Sequence, residues 1–89
     1  MKHKSLTSSQ IRAARALVRW RAQDLARESS IGVATIRRAE LSDSETSMTA
    51  ANDLAVRRTL EMAGVEFIDE NGGGPGVRLR KLPQGRQRK

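Results

Sequence analysis

Two adjacent arginines, Arg37 and Arg38, end the stretch SSIGVATIRR (residues 29–38), which begins as a turn and continues as a short helix. Successive residues of an α-helix are rotated by about 100°, so both arginines and Ala34 lie opposite Ile36. An arginine in such a position can donate two hydrogen bonds to the O6 and N7 atoms of a guanine. The pattern favours a surface that binds a polyanion, and a solvated helix face is the alternative.

Other residues that carry chemistry are few. The only histidine is His3, and the absence of cysteine excludes a disulfide framework and a thiolate zinc site. No Ser-His-Asp set can be assembled, and the acidic residues of the segment 41–75 lack a metal-ligand spacing. We therefore expect no enzymatic activity, no metal, no cofactor and no small-molecule ligand.

The glycine-rich run GGGPG (residues 72–76) has the composition of a phosphate-cradling loop. Such a loop needs a following Lys-Ser/Thr pair and a helix, whereas a β-leaning segment follows here. The run therefore indicates the turn of a hairpin.

Charge is divided sharply along the 89 residues. Residues 1–40 carry a net charge of +6, residues 41–75 carry −5 and residues 76–89 carry +6. This division suggests one face for a polyanion and another of opposite character, and an ordinary soluble protein with a frayed basic tail is the alternative. The length predicts a single domain with a thin core, for which a self-partner that buries more surface is plausible.

Targeting signals are not evident. The first ten residues have no apolar core of a signal peptide, and no run approaches the roughly 18 apolar residues of a membrane span. We therefore expect a cytoplasmic protein without a membrane partner.

Four helices are predicted to position these residues. The first has Thr7 as its cap, Gln10 as the partner of a capping box, and Leu6 and Ile11 as a hydrophobic staple; it runs to about Arg19. The second and third cover residues 22–28 and 33–39, and the fourth covers residues 49–63. The residues expected to face the core are Ile11, Ala14, Leu17, Val18, Leu25, Ala26, Ile36, Ala39, Leu54, Val56 and Leu60, with Trp20 packed against helices 2 and 4 and with Met48 and Met62 as core filler.

The end of the fourth helix and the segments after it have a different sequence pattern. Gly64 stands where a left-handed residue ends a helix. Residues 65–69 and 77–81 alternate apolar and polar side chains and predict a β-hairpin. A lone hairpin is marginal in water, so its apolar face must pack on the helices or on the same hairpin of a second subunit. That face is formed by Val65, Phe67, Val77 and Leu79.

The second and third helices, with their short connection at residues 29–32, have the helix-turn-helix pattern. From Thr7 to about Lys81 the chain resembles small bacterial helix-turn-helix regulators of the XRE class, the class of phage repressors and Cro. The resemblance rests on QIRAARALVRW, on DLARES and ATIRRAE, and on TLEMAGVEFIDENGGGPGVRLRK, which is typical of a subgroup with a hairpin tail. It implies a mainly α fold: a four-helix, phage-repressor-like DNA-binding domain (residues 6–64) and a hairpin (65–82), between a flexible basic arm (1–5) and a disordered basic tail (83–89).

The resemblance also implies a site. Base contacts map onto the third helix, where core packing is the alternative for Val33, and phosphate contacts map onto the start of the second helix, whose N-terminus favours an anion. Arg15 and Glu40 match a pair that links the first helix to the end of the third, and two exposed charges are the alternative. The implied DNA-binding residues are Arg21, Gln23, Val33, Ala34, Thr35, Arg37 and Arg38.

The chain departs from the family pattern at three positions. Ser30 replaces a common glycine, Gly32 replaces the usual Ser or Thr cap of the third helix, and Ala22 replaces a common glutamine. Glycine still caps a helix, slightly less well than serine. The contact of the missing glutamine is not carried over to Ala22.

The function implied is that of a sequence-specific transcriptional regulator, most often a repressor or autoregulator, that binds double-stranded DNA as a homodimer on a palindromic operator. Because little chain follows the helices, we expect no ligand domain, and the hairpin with helix 4 is the predicted dimer contact. The alternative is a protein-interaction module, such as an antitoxin or adaptor, that binds a protein partner. RNA binding is less favoured, since Trp20 and Phe67 are the only aromatic residues available for base stacking.

Overall fold

The computed structural model describes residues 5–42 and 45–80. It confirms the predicted order of four helices followed by an antiparallel hairpin. The predicted tail (83–89) and the predicted arm (1–5), apart from Ser5, lie outside the described residues. The elements are α1 (Ser8–Val18), α2 (Ala22–Ser29), α3 (Val33–Ala39), α4 (Ala50–Met62), β1 (Val65–Ile68) and β2 (Gly76–Leu79).

The start of α1 has the predicted capping box. The Thr7 hydroxyl accepts the Gln10 N–H at 3.1 Å, and the Gln10 side-chain oxygen accepts the Thr7 N–H at 3.0 Å. Leu6 and Ile11, the predicted staple, are both fully buried. The helix ends one residue earlier than expected, because Arg19 adopts a left-handed conformation with φ of 62°.

The ends of the other helices also follow local sequence signals. The α3 bounds agree with the prediction, and α2 extends one residue further, to Ser29. Thr49 caps α4 by accepting the Asn52 N–H at 3.1 Å. After α4, Gly64 has a φ of 112°, the positive value that the prediction of a glycine stop requires.

The hairpin has a simple register. Val65 pairs with Leu79 and Phe67 with Val77, and the Arg80 N–H extends the ladder to the Gly64 carbonyl at 2.7 Å. In the turn, the Glu70 carboxylate accepts the N–H groups of Gly72 and Gly74 at 3.1 and 3.3 Å. Two of the amides of this turn are therefore already bonded within it, to a carboxylate that would repel a phosphate.

The hairpin packs against the chain's own helices α1 and α4. Val65 is fully buried and Phe67 is 8% exposed, Val77 is half-buried, and Leu79 is 50% exposed. Two of the four residues of the predicted dimer contact are thus occupied in the core of a single chain. Association of two chains through the hairpin stays a prediction.

Buried polar groups tie the hairpin and α4 to the rest of the molecule. Arg57 lies over the Phe67 ring at 5.3 Å and pairs with Glu61 and Asp69 at 3.3 and 3.5 Å. The Asp53 carboxylate accepts the Leu6 N–H at 3.1 Å, and burial raises its pKa. The contacts of Arg57 with Phe67 and Asp69 and of Asp53 with Leu6 were not expected from the sequence, because each joins residues of different segments of the chain.

Two residues assigned to the core are on the surface. Leu17 lies at the edge of the α1 stripe and is 36% exposed. Met62 is 86% exposed, because two helical residues correspond to about 200° and place it nearly opposite the buried Leu60. The core consists of Leu6, Ile11, Ala14, Leu25, Ala26, Ile36, Ala39, Val56, Leu60, Val65 and Phe67, with Trp20, Met48 and Val18 packed against it.

Among the helices of residues 5–42 and 45–80, none has the length and apolar character needed to cross a membrane.

Candidate functional site

Helix α3 has one buried and one exposed side. Ile36 and Ala39 are buried in the core, whereas Ala34, Arg37 and Arg38 are exposed. With about 100° of rotation per residue, Ala34 lies at the centre of the exposed side and the two arginines flank it. We call these three residues the outer face of α3.

Val33 and Thr35 lie at the two margins of the outer face, and both are half-buried. Val33 also packs against the core. The alternative considered for Val33, core packing, therefore applies to part of its surface, while the rest stays accessible beside Ala34.

The arginines of the outer face are electrostatically uncompensated. Within the described part of the chain, no carboxylate oxygen lies within 4 Å of Arg37 or Arg38, whereas Arg15, Arg57 and Arg78 each have such a partner. An unpaired surface guanidinium keeps all five N–H donors available for a ligand. The outer face therefore presents two cations around a methyl group.

The C-terminal end of α3 is held by three side chains from one stripe of α1. The Ser8 hydroxyl donates to the Ala39 carbonyl, and the Arg12 guanidinium donates to the Glu40 carbonyl. Arg15 binds the Glu40 side chain. Positive side chains at this end also match the negative end of the α3 dipole.

The Arg15–Glu40 pair is bidentate, as the resemblance implied. Arg15 Nε and Nη2 donate to the two carboxylate oxygens at 2.6 and 2.8 Å, and Nη1 donates to the Trp20 carbonyl at 2.9 Å. The side chains are only 22% and 9% exposed, and the hydrogen bond to Glu40 raises the pKa of Arg15. This contact excludes the alternative of two exposed charges.

Ser8 and Arg12 were not assigned a role from the sequence. A signal was present, however, because residues 8, 12 and 15 recur at intervals of four and three and must share one face of a helix. The structure shows that this stripe faces the end of α3.

The connection between α2 and α3 is short and regular. Ser30 takes a left-handed conformation with φ of 61°, where the family pattern has glycine, and the Ile31 N–H bonds the Ala26 carbonyl at 3.1 Å. Gly32 starts α3 with an extended backbone and provides no side-chain cap. The orientation of α3 therefore depends on its packing and on the contacts with α1.

The predicted phosphate contacts, Arg21 and Gln23, are exposed at the start of α2. Asp24 accepts the Arg21 N–H at 2.8 Å and lies 3.9 Å from the Arg21 guanidinium. The backbone hydrogen bond from Arg21 lowers the pKa of Asp24. This carboxylate offsets part of the positive potential that was expected at the N-terminus of α2.

A groove of about 400 Å³ lies beside the outer face of α3. Thr35 and Arg38 form one wall, and hydroxyl and amide side chains at the start of α4 contribute the other. None of the residues of this second wall was among the site residues predicted from the sequence. We call it the hydroxyl wall; it consists of Ser47, Thr49 and Asn52.

No protein-family model matches this chain, and no curated protein matches it either.

Proposed function

We propose that this protein is a sequence-specific DNA-binding regulator, most simply a repressor or autoregulator, in which α2 and α3 act as a helix-turn-helix. The observation that carries the proposal is the outer face of α3, where Arg37 and Arg38 are exposed and free of carboxylates in the described chain. A helix fits the major groove of B-DNA. A free guanidinium on such a helix is the side chain best suited to reading a guanine edge.

The residues of α3 have complementary roles in this proposal. Arg38 and Arg37 donate to guanine O6 and N7, while the methyl groups of Ala34 and Val33 contact the methyl group of a thymine. Thr35 donates to a base or to a phosphate. Since the outer face is narrow and the margins are half-buried, only a few base pairs per half-site are read directly.

Phosphate contacts on both sides of α3 set the register of the helix in the groove. Arg21 and Gln23 approach one strand from the start of α2. The hydroxyl wall approaches the backbone from the other side, where its hydroxyl and amide groups donate to phosphate oxygens. Because Asp24 offsets part of the positive charge at the start of α2, the hydroxyl wall supplies a larger share of the phosphate binding.

Anchoring of α3 contributes to specificity as well. Direct readout needs donors held within a fraction of an ångström of the base edge. Ser8, Arg12 and Arg15 fix the C-terminal end of α3 through the Ala39 and Glu40 groups. The outer face is therefore presented by a helix whose position is set before DNA binds.

A homodimer on a palindromic operator follows from the same proposal, since dimers of this kind place two reading helices about 34 Å apart along the duplex. Selection from a random DNA library should recover a palindrome with a spacing of one helical turn. The full chain is the protein to use.

The decisive test is the double variant Arg37→Ala/Arg38→Ala on the selected site. We expect each lost guanine contact to cost about 1–3 kcal/mol, and the salt dependence to fall only where phosphates are also lost. The control is Arg27→Ala/Arg78→Ala, which removes the same charge from two exposed arginines outside α3. Equal losses in the two double variants would show a general charge effect and refute the proposal.

Binding to a protein is the competing outcome. If Arg37→Ala/Arg38→Ala bound operator DNA with the affinity of the parent, α3 would not be the helix that reads the bases. The outer face would then be assigned to a protein contact.

A further inference from the structure

Met62 is the most exposed large apolar residue of the described chain, with 86% of its surface accessible. It lies in the last turn of α4, opposite the residues that this helix buries. A single exposed apolar residue is ordinary on a protein surface. Met62 differs because a groove lies on each side of it.

The first groove, of about 300 Å³, lies between α4 and α2. Its walls are formed by Trp20, Glu28, Thr59 and Ala63, with Met62 on its rim. Trp20 is half-buried and gives the groove an aromatic floor. Methionine side chains make favourable contacts with aromatic rings, so the groove suits a methionine as its occupant.

The second groove, of similar volume, lies on the other side of Met62 and is lined by Arg58, Glu61 and Arg80. Glu61 already pairs with the buried Arg57 at 3.3 Å. Arg58 has no carboxylate within 4 Å in residues 5–42 and 45–80. This side of Met62 is therefore basic, whereas the far side of the Trp20 groove carries the Glu28 carboxylate, which is half exposed and lies 3.6 Å from Arg27 of its own chain.

We propose that this surface, the Met62 patch, binds the same patch of a second copy of the chain across a two-fold axis. A projecting side chain and a groove that lie side by side on one surface fit the same pair of features on a second copy when the two-fold axis passes between them. Met62 of each copy then enters the Trp20 groove of the other.

The charges agree with the same axis. The rotation that brings Met62 over the partner's groove also brings Arg58 over the partner's Glu28, because these residues lie at opposite ends of the patch. Complementary rims of this kind fix the register of an interface. A different protein partner would not need the two ends of the patch to be complementary to each other, and this favours a second copy as the occupant.

The inference rests on the proposed function only in that a palindromic operator calls for a two-fold dimer. Of the predicted contact, the hairpin with helix 4, it keeps the C-terminal end of α4 and leaves out the apolar hairpin face. It leaves the outer face of α3 free, since none of the residues of the Met62 patch belongs to α3.

Sedimentation equilibrium of the full chain without DNA tests the proposal. We expect reversible dimerisation, and we expect Met62→Glu to raise the dimer dissociation constant by about tenfold or more. The side chain is exposed, so the unfolding midpoint of a dilute sample should not change. Leu41→Glu is the matched control, because Leu41 is 81% exposed outside the patch. A parent chain that stays monomeric, or a Met62→Glu variant that dimerises like the parent or like Leu41→Glu, would overturn the proposal.

A charge exchange tests the register. Glu28→Arg and Arg58→Glu should each weaken the dimer, and the double variant should recover most of the affinity. Within the described part of one chain Glu28 pairs with Arg27 and not with Arg58. The loss of that pair is common to Glu28→Arg and to the double variant, so recovery reports a contact between copies, and its absence overturns the two-fold register.

Failure of this inference and failure of the proposed function give different results. Met62→Glu should bind a single half-site like the parent and lose affinity only for the palindrome. A parent chain that dimerises through Met62 but does not bind DNA would support the Met62 interface and refute the proposed function.

Discussion

Removing Glu40 tests whether the contact with α1 holds α3 in place. Glu40→Ala deletes the carboxylate that accepts two hydrogen bonds from Arg15, at 2.6 and 2.8 Å. The Arg15 guanidinium keeps its bond to the Trp20 carbonyl but loses its counter-charge. The Arg12 contact survives, since it uses the Glu40 backbone carbonyl.

The magnitude follows from burial. Removing one partner of a fully buried ion pair costs about 3–5 kcal/mol. Glu40 approaches that case with 9% of its side chain exposed, but Arg15 keeps 22% exposed and can recover some hydration. We therefore expect a loss of about 2–3 kcal/mol in the free energy of unfolding. For a domain of this size, that lowers the midpoint temperature by about 10–20 °C.

The assay is urea unfolding of Arg15→Ala, Glu40→Ala and the double variant, which gives the coupling energy of the pair. The Glu66–Arg78 pair is the matched control. It is also bidentate, at 3.1 and 3.2 Å, but it lies between two exposed strand residues. We expect its coupling to be much smaller, because solvent screens exposed ion pairs. Equal couplings for the two pairs, or an unchanged stability of Glu40→Ala, would refute the reasoning.

Three further predictions concern how the elements are joined. Burial raises the pKa of Asp53, so the folded state binds its proton more tightly than the unfolded state, and stability is lost as pH rises from the ordinary aspartate value through the raised one. The free energy of unfolding of Asp53→Asn should therefore increase relative to that of the parent as pH rises across that interval. Urea unfolding at a series of pH values that showed the opposite trend would contradict this. Gln10→Ala removes the capping box and two side-chain bonds to the hairpin carbonyls; we expect a loss of about 1–2 kcal/mol with faster amide exchange in the hairpin, and unchanged hairpin protection would speak against it. Phe67→Ala should cost about 3–5 kcal/mol in a dilute, monomeric sample, whereas Leu79→Ala should change the thermal midpoint little, and similar effects of the two would contradict the burial of Phe67 in a single chain.

Local signals in the sequence predicted much of the secondary structure. The Thr7–Gln10 capping box, the Gly64 stop and the bounds of α3 depend on residues within a turn or two of each other. In such cases the physical cause and the signal occupy the same short segment. The Arg15–Glu40 pair, which joins different elements, came from the family resemblance instead.

Contacts between distant segments were beyond the reach of such signals. Gln10 was predicted as a capping residue, and this role uses only its side-chain oxygen. Its nitrogen donates to the Gly76 carbonyl at 3.0 Å, across 66 positions of the chain. Asp53 and Arg57 are also buried against partners from distant segments, since Leu6 donates to Asp53 and Asp69 pairs with Arg57.

The apolar hairpin face illustrates a different limit. Alternation in β1 and β2 predicted that Val65 and Phe67 face one side, and this is confirmed. Periodicity identifies a face that must be covered, but it does not identify what covers it. Here α1 and α4 of the same chain do so, and Met62, which was assigned to the core, is exposed instead.

The short length of α3 connects the stability of the fold to the proposed reading of DNA. An isolated helix of fewer than about 12 residues is marginal in water, and α3 has seven residues and a glycine at its N-cap. Its helical state must therefore come from the burial of Ile36 and Ala39 and from the contacts that Ser8, Arg12 and Arg15 make with its C-terminal end. A change in α1 that leaves every residue of the outer face intact should accordingly weaken operator binding, because it loosens the helix that carries Arg37 and Arg38.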